Sequence, residues 1–216
     1  MSSMPSSIPS SKPWAPPRAA VTTLGIVALL AMVVACLSWQ PGLDGIRMAI
    51  RATARSSLAF FLLAYGAAAA FTLWPGSATR WIRALRRQWG WLLVVSHTLH
   101  AACIHAYWQT DPVMFKALVP VSTFITGGLA YAFIWAMGAT SFDRTAAWIG
   151  PRAWKLLHTW GSHYLWLSFL LGNAKRIPMM PVYTLPTLLL LAVLLLRWMA
   201  SRQRRLKAGS ASVAPA

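Results

Sequence analysis

Residues 96–105 read SHTLHAACIH, with three histidines inside an apolar segment that runs over residues 89–108. A helix needs about 20 apolar residues to cross the hydrocarbon core of a bilayer, so this segment predicts a transmembrane helix. Ionisable side chains are costly in that environment, and those found in spans usually face the bundle interior and have a function. The stretch therefore indicates a membrane fold and, within it, a candidate site.

The whole chain has the composition of a polytopic membrane protein. Of its 216 residues, 57% are hydrophobic and 11% are charged, values that lie outside the range of soluble globular domains. Five further apolar segments have a comparable length, which predicts an all-α fold, a bundle of six transmembrane helices. The predicted spans are residues 21–39, 57–74, 89–108, 117–137, 154–172 and 183–200.

Three regions follow from this pattern. Residues 1–20 are rich in Ser and Pro and are expected to form a disordered cytoplasmic tail. Residues 21–200 form the transmembrane domain, and residues 201–216 are expected to be a basic and then polar cytoplasmic tail. Residues 33–36, VVAC, resemble a lipoprotein cleavage box, so processing of the first span as a signal is an open alternative.

The charges predict how the chain lies in the membrane. The chain carries 20 Lys and Arg against 3 Asp and Glu, a formal net charge of +17. These basic residues lie between apolar segments, as topology determinants do, and no soluble domain is left to bind nucleic acid. Their bias predicts a multi-pass protein of the cell inner (plasma) membrane with both termini cytoplasmic. Arg47, Arg51 and Arg55 in the first outer loop depart from this bias, and their spacing predicts an interfacial helix with a basic stripe.

All five histidines fall in two predicted spans, which run in parallel from inside to outside: His97, His100 and His105 in the third, and His158 and His163 in the fifth. His97 and His100 are about 60° apart around the helix and share a face, whereas His105 is about 140° from His100. Two facing helices that each offer a neutral imidazole suit haem b, whose iron takes one ring from each helix. His158 follows the inner loop closely, which puts the expected haem in the cytoplasmic half.

Other interpretations of the histidines are weaker or less specific. Zinc fits less well, because no carboxylate or paired thiolate lies near these rings; Cys103 is alone, and no disulfide to Cys36 is predicted. The rings could serve only as polar contacts between helices. A haem-free transporter or assembly factor that uses them for protons or metal is the second hypothesis. The histidines on each helix are five residues apart, a rise of about 7.5 Å that is too short for two stacked porphyrins, so one haem per chain is expected.

Three stretches resemble the ferric reductase-like transmembrane family. RRQWGWLLVVSHTLH at 86–100 is similar to its motif of an Arg pair, a Gly four residues after the first Arg and a His fourteen after it. WKLLHTWGSHYLW at 154–166 is similar to its Trp-Lys-x-Leu-His signature, and TSFDRTAAWIGPRAW at 140–154 resembles the loop between its fourth and fifth spans. The resemblance implies a b-type cytochrome that passes electrons across the membrane, with His100 and His158 as axial ligands. His97 has no counterpart in the motif and lies one turn closer to the cytoplasm, where it could compete for the iron.

The chain also departs from the family. Members with two haems repeat a histidine thirteen or fourteen residues on, where this chain has Met114 and Leu171. No flavin or nicotinamide domain follows the last span, so the electron donor is expected to be a separate cytosolic reductase or a quinol. The acceptor is expected on the periplasmic side. These features predict the haem-binding membrane subunit of an oxidoreductase system, with the lipid bilayer as its surroundings and no catalytic residue of its own.

Overall fold

The computed structural model describes residues 17–211, so most of the predicted N-terminal tail and residues 212–216 lie outside the described part. Within that part the chain is helical and contains no strand, as predicted. The α-helices are α1 (Arg18–Trp39), α2 (Leu43–Leu73), α3 (Ser77–Ala84), α4 (Arg86–Thr110), α5 (Pro112–Leu118), α6 (Val121–Ala139), α7 (Asp143–Ala174) and α8 (Thr184–Ala211), with a 3₁₀ turn at Pro181–Tyr183 before α8.

Among residues 17–211, four helical segments are long and apolar enough to cross a membrane: Arg18–Trp39, Leu43–Leu73, Val121–Ala139 and Pro181–Ser210. They correspond to four of the six predicted spans. The other two predicted spans lie in α4 and α7, which carry all five histidines. Imidazoles and terminal arginines lower the mean hydropathy of these two helices, and this is the physical reason they differ from the others.

The helices pack as a ring in the order α2, α4, α6, α7 and α8, and α8 closes the ring against α2. Helix α1 lies outside this ring, against α2 and α4. The ring encloses a core of apolar side chains: Leu58, Phe61, Tyr65, Leu93, Ala130, Ile134, Leu165, Leu190 and Val193. Many large apolar side chains point outward instead; Leu24 and Ile125 are each 68% exposed. A continuous apolar exterior of this kind is what a lipid environment requires.

The basic residues of the first outer loop do not form a separate interfacial helix, which corrects the prediction. They belong to α2, a single helix of 31 residues, about 46 Å long against a hydrocarbon core of about 30 Å. Its first turn approaches the end of α1 so closely that a Cβ at Gly45 would collide with the carbonyl oxygen of Gln40. Arg47 Nη2 donates to the Tyr107 hydroxyl of α4 at 3.0 Å, so α2 extends past the core beside α4.

Helix α7 has a kink at Gly150, whose φ of 79° is unfavourable for residues with a side chain. Pro151 follows and starts the longer second part, where its missing N–H costs no hydrogen bond. That part, residues 151–174, is about 36 Å long and carries both histidines of the helix. The kink therefore sets the angle at which His158 and His163 enter the bundle.

The predicted domain boundaries shift at both ends. Helix α1 starts at Arg18, inside the region expected to be a tail. Helix α8 continues to Ala211, so the described part of the predicted C-terminal tail is helical. Lys, Arg and Gln are good helix formers. The basic segment after residue 200 therefore continues the helix that begins in the packed part of α8.

Candidate functional site

Helices α4 and α7 run in the same direction, as predicted. At their N-terminal ends, here called the inner ends, Arg87 Nη2 lies 2.6 Å from Asp143 Oδ1, and Arg87 Nε donates to the Ser141 carbonyl oxygen, also at 2.6 Å. Further along, the ring of His97 meets the ring of Phe169 edge to face, with centroids 6.0 Å apart. These contacts define the register between the two histidine-bearing helices.

A cavity of about 440 Å³ opens among α2, α4, α6 and α7, near the N-terminal ends of α4 and α7. Its volume lies in the range of sites for small molecules and cofactors. Apolar side chains form its floor: Phe61, Leu93, Val94, Ile134 and Leu165. Polar and charged side chains line the rest of the cavity, including its mouth: Arg83, Arg86, Arg87, Thr140, Ser141, Asp143, His158 and Ser162.

His158 lies in the cavity wall and is oriented from two sides. Its Nε2 is 3.2 Å from Thr140 Oγ1 on α6. Its ring stacks on the indole of Trp154, one turn earlier on α7, with centroids 4.3 Å apart. Trp154 Nε1 in turn donates to the Thr140 carbonyl oxygen at 2.9 Å. The imidazole is therefore fixed in place beside the cavity by neighbours that bind each other.

His100 is held against α2, away from this cavity. Its Nδ1 lies 3.1 Å from the Ile50 carbonyl oxygen and 3.1 Å from Thr53 Oγ1. A carbonyl oxygen can only accept, and the Thr53 hydroxyl already donates to the Ala49 carbonyl oxygen at 2.7 Å. Both bonds therefore assign the proton to Nδ1. This tautomer leaves the Nε2 lone pair available, the arrangement that metal-bound histidines usually have.

His97 belongs to an aromatic cluster beside His100. Its ring centroid is 5.2 Å from that of His100 and 4.7 Å from that of Tyr131. Within the described residues, His97 Nδ1 and the Tyr131 hydroxyl are both buried without a hydrogen-bond partner. We call the group of His97, His100, Tyr131 and Phe169 the outer cluster. Two of its buried polar atoms therefore lack a hydrogen bond within the described residues.

The other two histidines point elsewhere. His105 is exposed and lies beside Gln109 and Trp108, in agreement with its predicted position on another face of α4. His163 Nδ1 is 3.0 Å from the hydroxyl of Tyr65. The guanidinium of Arg197 on α8 lies over the same Tyr65 ring, 3.9 Å from its centroid. Sequence reasoning missed this tyrosine–histidine–arginine group, because its members come from three helices and form no local motif.

The register places the two predicted ligands at different depths. Phe169, which meets His97, comes eleven residues after His158 on α7, a rise of about 16 Å. His100 lies about 4.5 Å beyond His97 on α4. Arg86 on α4, eleven residues before His97, and His158 on α7 both line the cavity, whereas His97 and His100 do not. The structure thus brings His97 and His100 together and His158 and Arg86 together, but it does not bring His100 to His158.

No multidentate metal site of protein ligands is present in residues 17–211, where no three His, Cys, Asp or Glu side chains converge. Cys36 and Cys103 are buried, free thiols in one cluster with Ala49. Asp44 and Asp143 pair with arginines, and Asp111 caps α5 by accepting from the Met114 backbone N–H at 2.9 Å. The carboxylates therefore have structural partners rather than a shared ligand.

Comparison of the chain with protein-family models, with curated proteins and with solved structures finds no match in any of the three. The similarity to ferric reductase-like proteins therefore depends on the motifs at 86–100, 140–154 and 154–166.

Proposed function

We propose that the chain is a membrane b-type cytochrome that carries electrons across the bilayer through haem b, as a ferric reductase-like redox subunit. The observation that supports this best is the cavity between α4 and α7, with its apolar floor, a fixed imidazole in the wall and arginines at the mouth. A haem has matching parts: an apolar macrocycle, an iron that takes imidazole, and carboxylates that pair with guanidinium groups. The macrocycle and the carboxylates have matching groups in the cavity, and His158 is the imidazole of its lining, with its Nε2 bonded to Thr140 Oγ1.

Each part of the cavity has a distinct role in this proposal. His158 would be the iron ligand once its Nε2 leaves Thr140 Oγ1, and the indole of Trp154 would keep its ring in place. Arg83 and Arg86 at the mouth pair with the propionates. The floor excludes water and lowers the local dielectric, which tunes the reduction potential. The haem, when bound, supplies the one-electron chemistry.

His100 is the second ligand that the motif proposes. Its hydrogen bond from Nδ1 to the Ile50 carbonyl oxygen is the outer contact typical of a metal-bound imidazole. His97 stands next to it and is the competing candidate at that depth. On α4 the two rings come three and six residues after Val94, which lines the cavity, rises of about 4.5 and 9 Å, so they would serve an electron on its way outward.

We place six spans in the inner membrane, with both termini cytoplasmic. Besides the four apolar helices, α4 with 25 residues and residues 151–174 of α7 each exceed the roughly 20 residues that a span requires. Both are members of the helix ring, together with three of the four apolar helices. A cytosolic reductase or a quinol would donate electrons at the arginine-lined mouth, and an acceptor would collect them on the periplasmic side.

The test is a dithionite-reduced minus oxidised optical spectrum of the full chain, produced with haem supplied and purified in mild detergent. We expect a b-type signal and about one haem per chain by pyridine haemochrome assay. His158→Ala should lower haem content at least tenfold. His105→Ala is the matched control, because it removes an exposed imidazole from α4. A well-folded protein without haem would contradict the proposal and favour the transporter hypothesis.

A further inference from the structure

Two arginines on one face of α8 attach this helix to α2. Arg197 Nη1 donates to the Tyr65 carbonyl oxygen at 2.9 Å, and the guanidinium carbon of Arg197 lies 3.9 Å from the centroid of the Tyr65 ring. Arg204 Nη1 donates to Thr72 Oγ1 at 3.1 Å. On each helix the two contacts are two turns apart, a rise of about 10.5 Å. We call this line of contact between Arg197 and Arg204 the α2–α8 seam.

The two charges of the seam have no counter-ion among the side chains of the chain. The chain has only three acidic residues. Two of them pair with arginines outside the seam, and the third caps α5. A guanidinium has five N–H donors, and within residues 17–211 each seam arginine uses one of them in a hydrogen bond. The seam therefore offers two positive charges and free donors to an anion from outside the chain.

The surroundings of the seam are those of a membrane interface. Trp198 follows Arg197 directly and is 55% exposed, and Trp74, two residues after Thr72, is 57% exposed. Exposed tryptophans of this kind lie at the level of the lipid head groups. Leu191, 46% exposed, lies on the same face of α8 as Trp198, two turns toward the hydrocarbon core. A phospholipid has the same order of groups, with acyl chains beside the leucine and phosphate beside the arginines.

The direction of access favours a lipid over a soluble protein. The Tyr65 carbonyl lies eight residues before Leu73, the last residue of α2, so Arg197 is engaged about 12 Å below that helix end. A soluble protein approaches from beyond the helix ends, whereas a lipid reaches the side of the bundle within the membrane plane. Basic sites between transmembrane helices at the cytoplasmic side bind anionic lipids, including cardiolipin, which has two phosphates.

We infer that the α2–α8 seam binds an anionic phospholipid with two phosphate groups, one held by Arg197 and the other by Arg204. The rise of about 10.5 Å between the two arginines gives each phosphate its own guanidinium, with charge-assisted hydrogen bonds from the nitrogens that α2 does not use. The bound lipid neutralises both charges and holds α8 against α2. Neither arginine lines the cavity, so the inference goes beyond the proposed function and requires the membrane placement but no haem.

The experiment is a lipid titration of the full chain in a neutral detergent, followed by native mass spectrometry. We expect one cardiolipin per chain and weaker binding of phosphatidylglycerol, which has a single phosphate. Arg197→Gln and Arg204→Gln should each weaken cardiolipin binding about fivefold, as expected for loss of one basic residue near an anionic lipid. Arg205→Gln is the matched control, because it removes the same charge from an exposed neighbour outside the seam; it should weaken binding less than about twofold.

The outcomes separate a built site from a general attraction. An equal loss of affinity in Arg205→Gln would show diffuse attraction to basic charge and overturn the inference. Equal binding of phosphatidylglycerol, or displacement of cardiolipin by the same concentration of inorganic phosphate, would overturn it as well. A chain that retains no lipid would overturn it and favour an acidic soluble partner for these arginines. Circular dichroism checks folding, and Arg204→Gln provides the comparison if Arg197→Gln does not fold. The haem measurement tests the cytochrome proposal separately.

Discussion

His100 and His158 occupy two ends of the space between α4 and α7, and their surroundings differ. The outer cluster around His100 is closed and aromatic, and it contains two buried polar atoms without partners. The inner cavity around His158 is open, bordered by arginines, and its imidazole has a partner. A buried polar group without a partner costs stability, whereas an open cavity with oriented groups is where ligands bind. The comparison favours the inner half for the ligand that we propose and the outer half for helix packing.

The largest loss of stability is expected when a side chain is added at Gly161, where α7 packs closely against α6. Gly161→Leu would drive a side chain into Met137 and Phe133, which lie 2.9 and 3.0 Å from the Cβ position. Overpacking of this kind costs about 1–3 kcal/mol, and it would push α6 away from α7. Thermal unfolding of the purified protein in detergent measures the loss. Gly172→Leu is the control, since nothing lies within 4 Å of its Cβ position; equal destabilisation in both variants would contradict the packing account.

A smaller effect is expected where α2 and α4 are tied together. Ser96 is fully buried, and its Oγ lies 2.7 Å from Ser56 Oγ and 2.9 Å from Ser57 Oγ. It also donates to the Thr53 carbonyl oxygen at 3.1 Å. Interhelical hydrogen bonds in membranes contribute about 0.6 kcal/mol on average and up to about 1.7.

Ser96→Ala should therefore lower the free energy of unfolding by about 1 kcal/mol, measured by denaturation in mixed micelles. Ser162→Ala is a matched control, because Ser162 Oγ bonds only to the carbonyl oxygen of Thr159 on its own helix. A loss of stability in the control as large as that in Ser96→Ala would show that the serine cluster does not tie the two helices together.

The sequence predicted the helical class and the faces of α4 more reliably than the relation between helices. Spacing of three residues puts His97 and His100 side by side, and their rings are 5.2 Å apart. The depth of His158 relative to α4 depends on the packing of α6 against both helices, at Gly138 and Gly161, and on the kink at Gly150. Neither follows from the periodicity of one helix, so spacing within a helix could not show which imidazoles meet.

Other differences have local causes. The three arginines at 47, 51 and 55 suggested that the second transmembrane helix begins after them. In the structure α2 is one continuous helix that includes all three. Long arginine side chains keep their charged ends away from the apolar core, so a helix can carry them past the membrane surface. The tyrosine–histidine–arginine group needed a packed bundle to be recognised, because Tyr65 and Arg197 are 132 residues apart along the chain.

In the outer cluster we expect a substitution that raises the stability of the protein, in contrast to the two above. Tyr131→Phe removes a buried hydroxyl that has no partner within the described residues, while the ring contact with His97 at 4.7 Å is kept. Removing an unsatisfied polar group relieves its desolvation cost, so we expect a gain of up to about 1 kcal/mol in the free energy of unfolding. The assay is the same micelle denaturation, and Tyr164→Phe, which removes a hydroxyl bonded to the Thr126 carbonyl oxygen at 2.9 Å, should lose stability instead.

The smallest effect is expected at the inner mouth, where the pair of Arg87 and Asp143 links the start of α4 to the start of α7. The two side chains are 45% and 94% exposed, so solvent screens the attraction despite their 2.6 Å separation. A double-mutant cycle with Arg87→Gln and Asp143→Asn should give a coupling of about 0.5 kcal/mol that falls as salt is added. A salt-independent coupling of several kcal/mol would mean that this pair, and not the packing of α7 on α6 at Gly161, holds the start of α7 against α4. The geometry of the inner half would then depend on electrostatics.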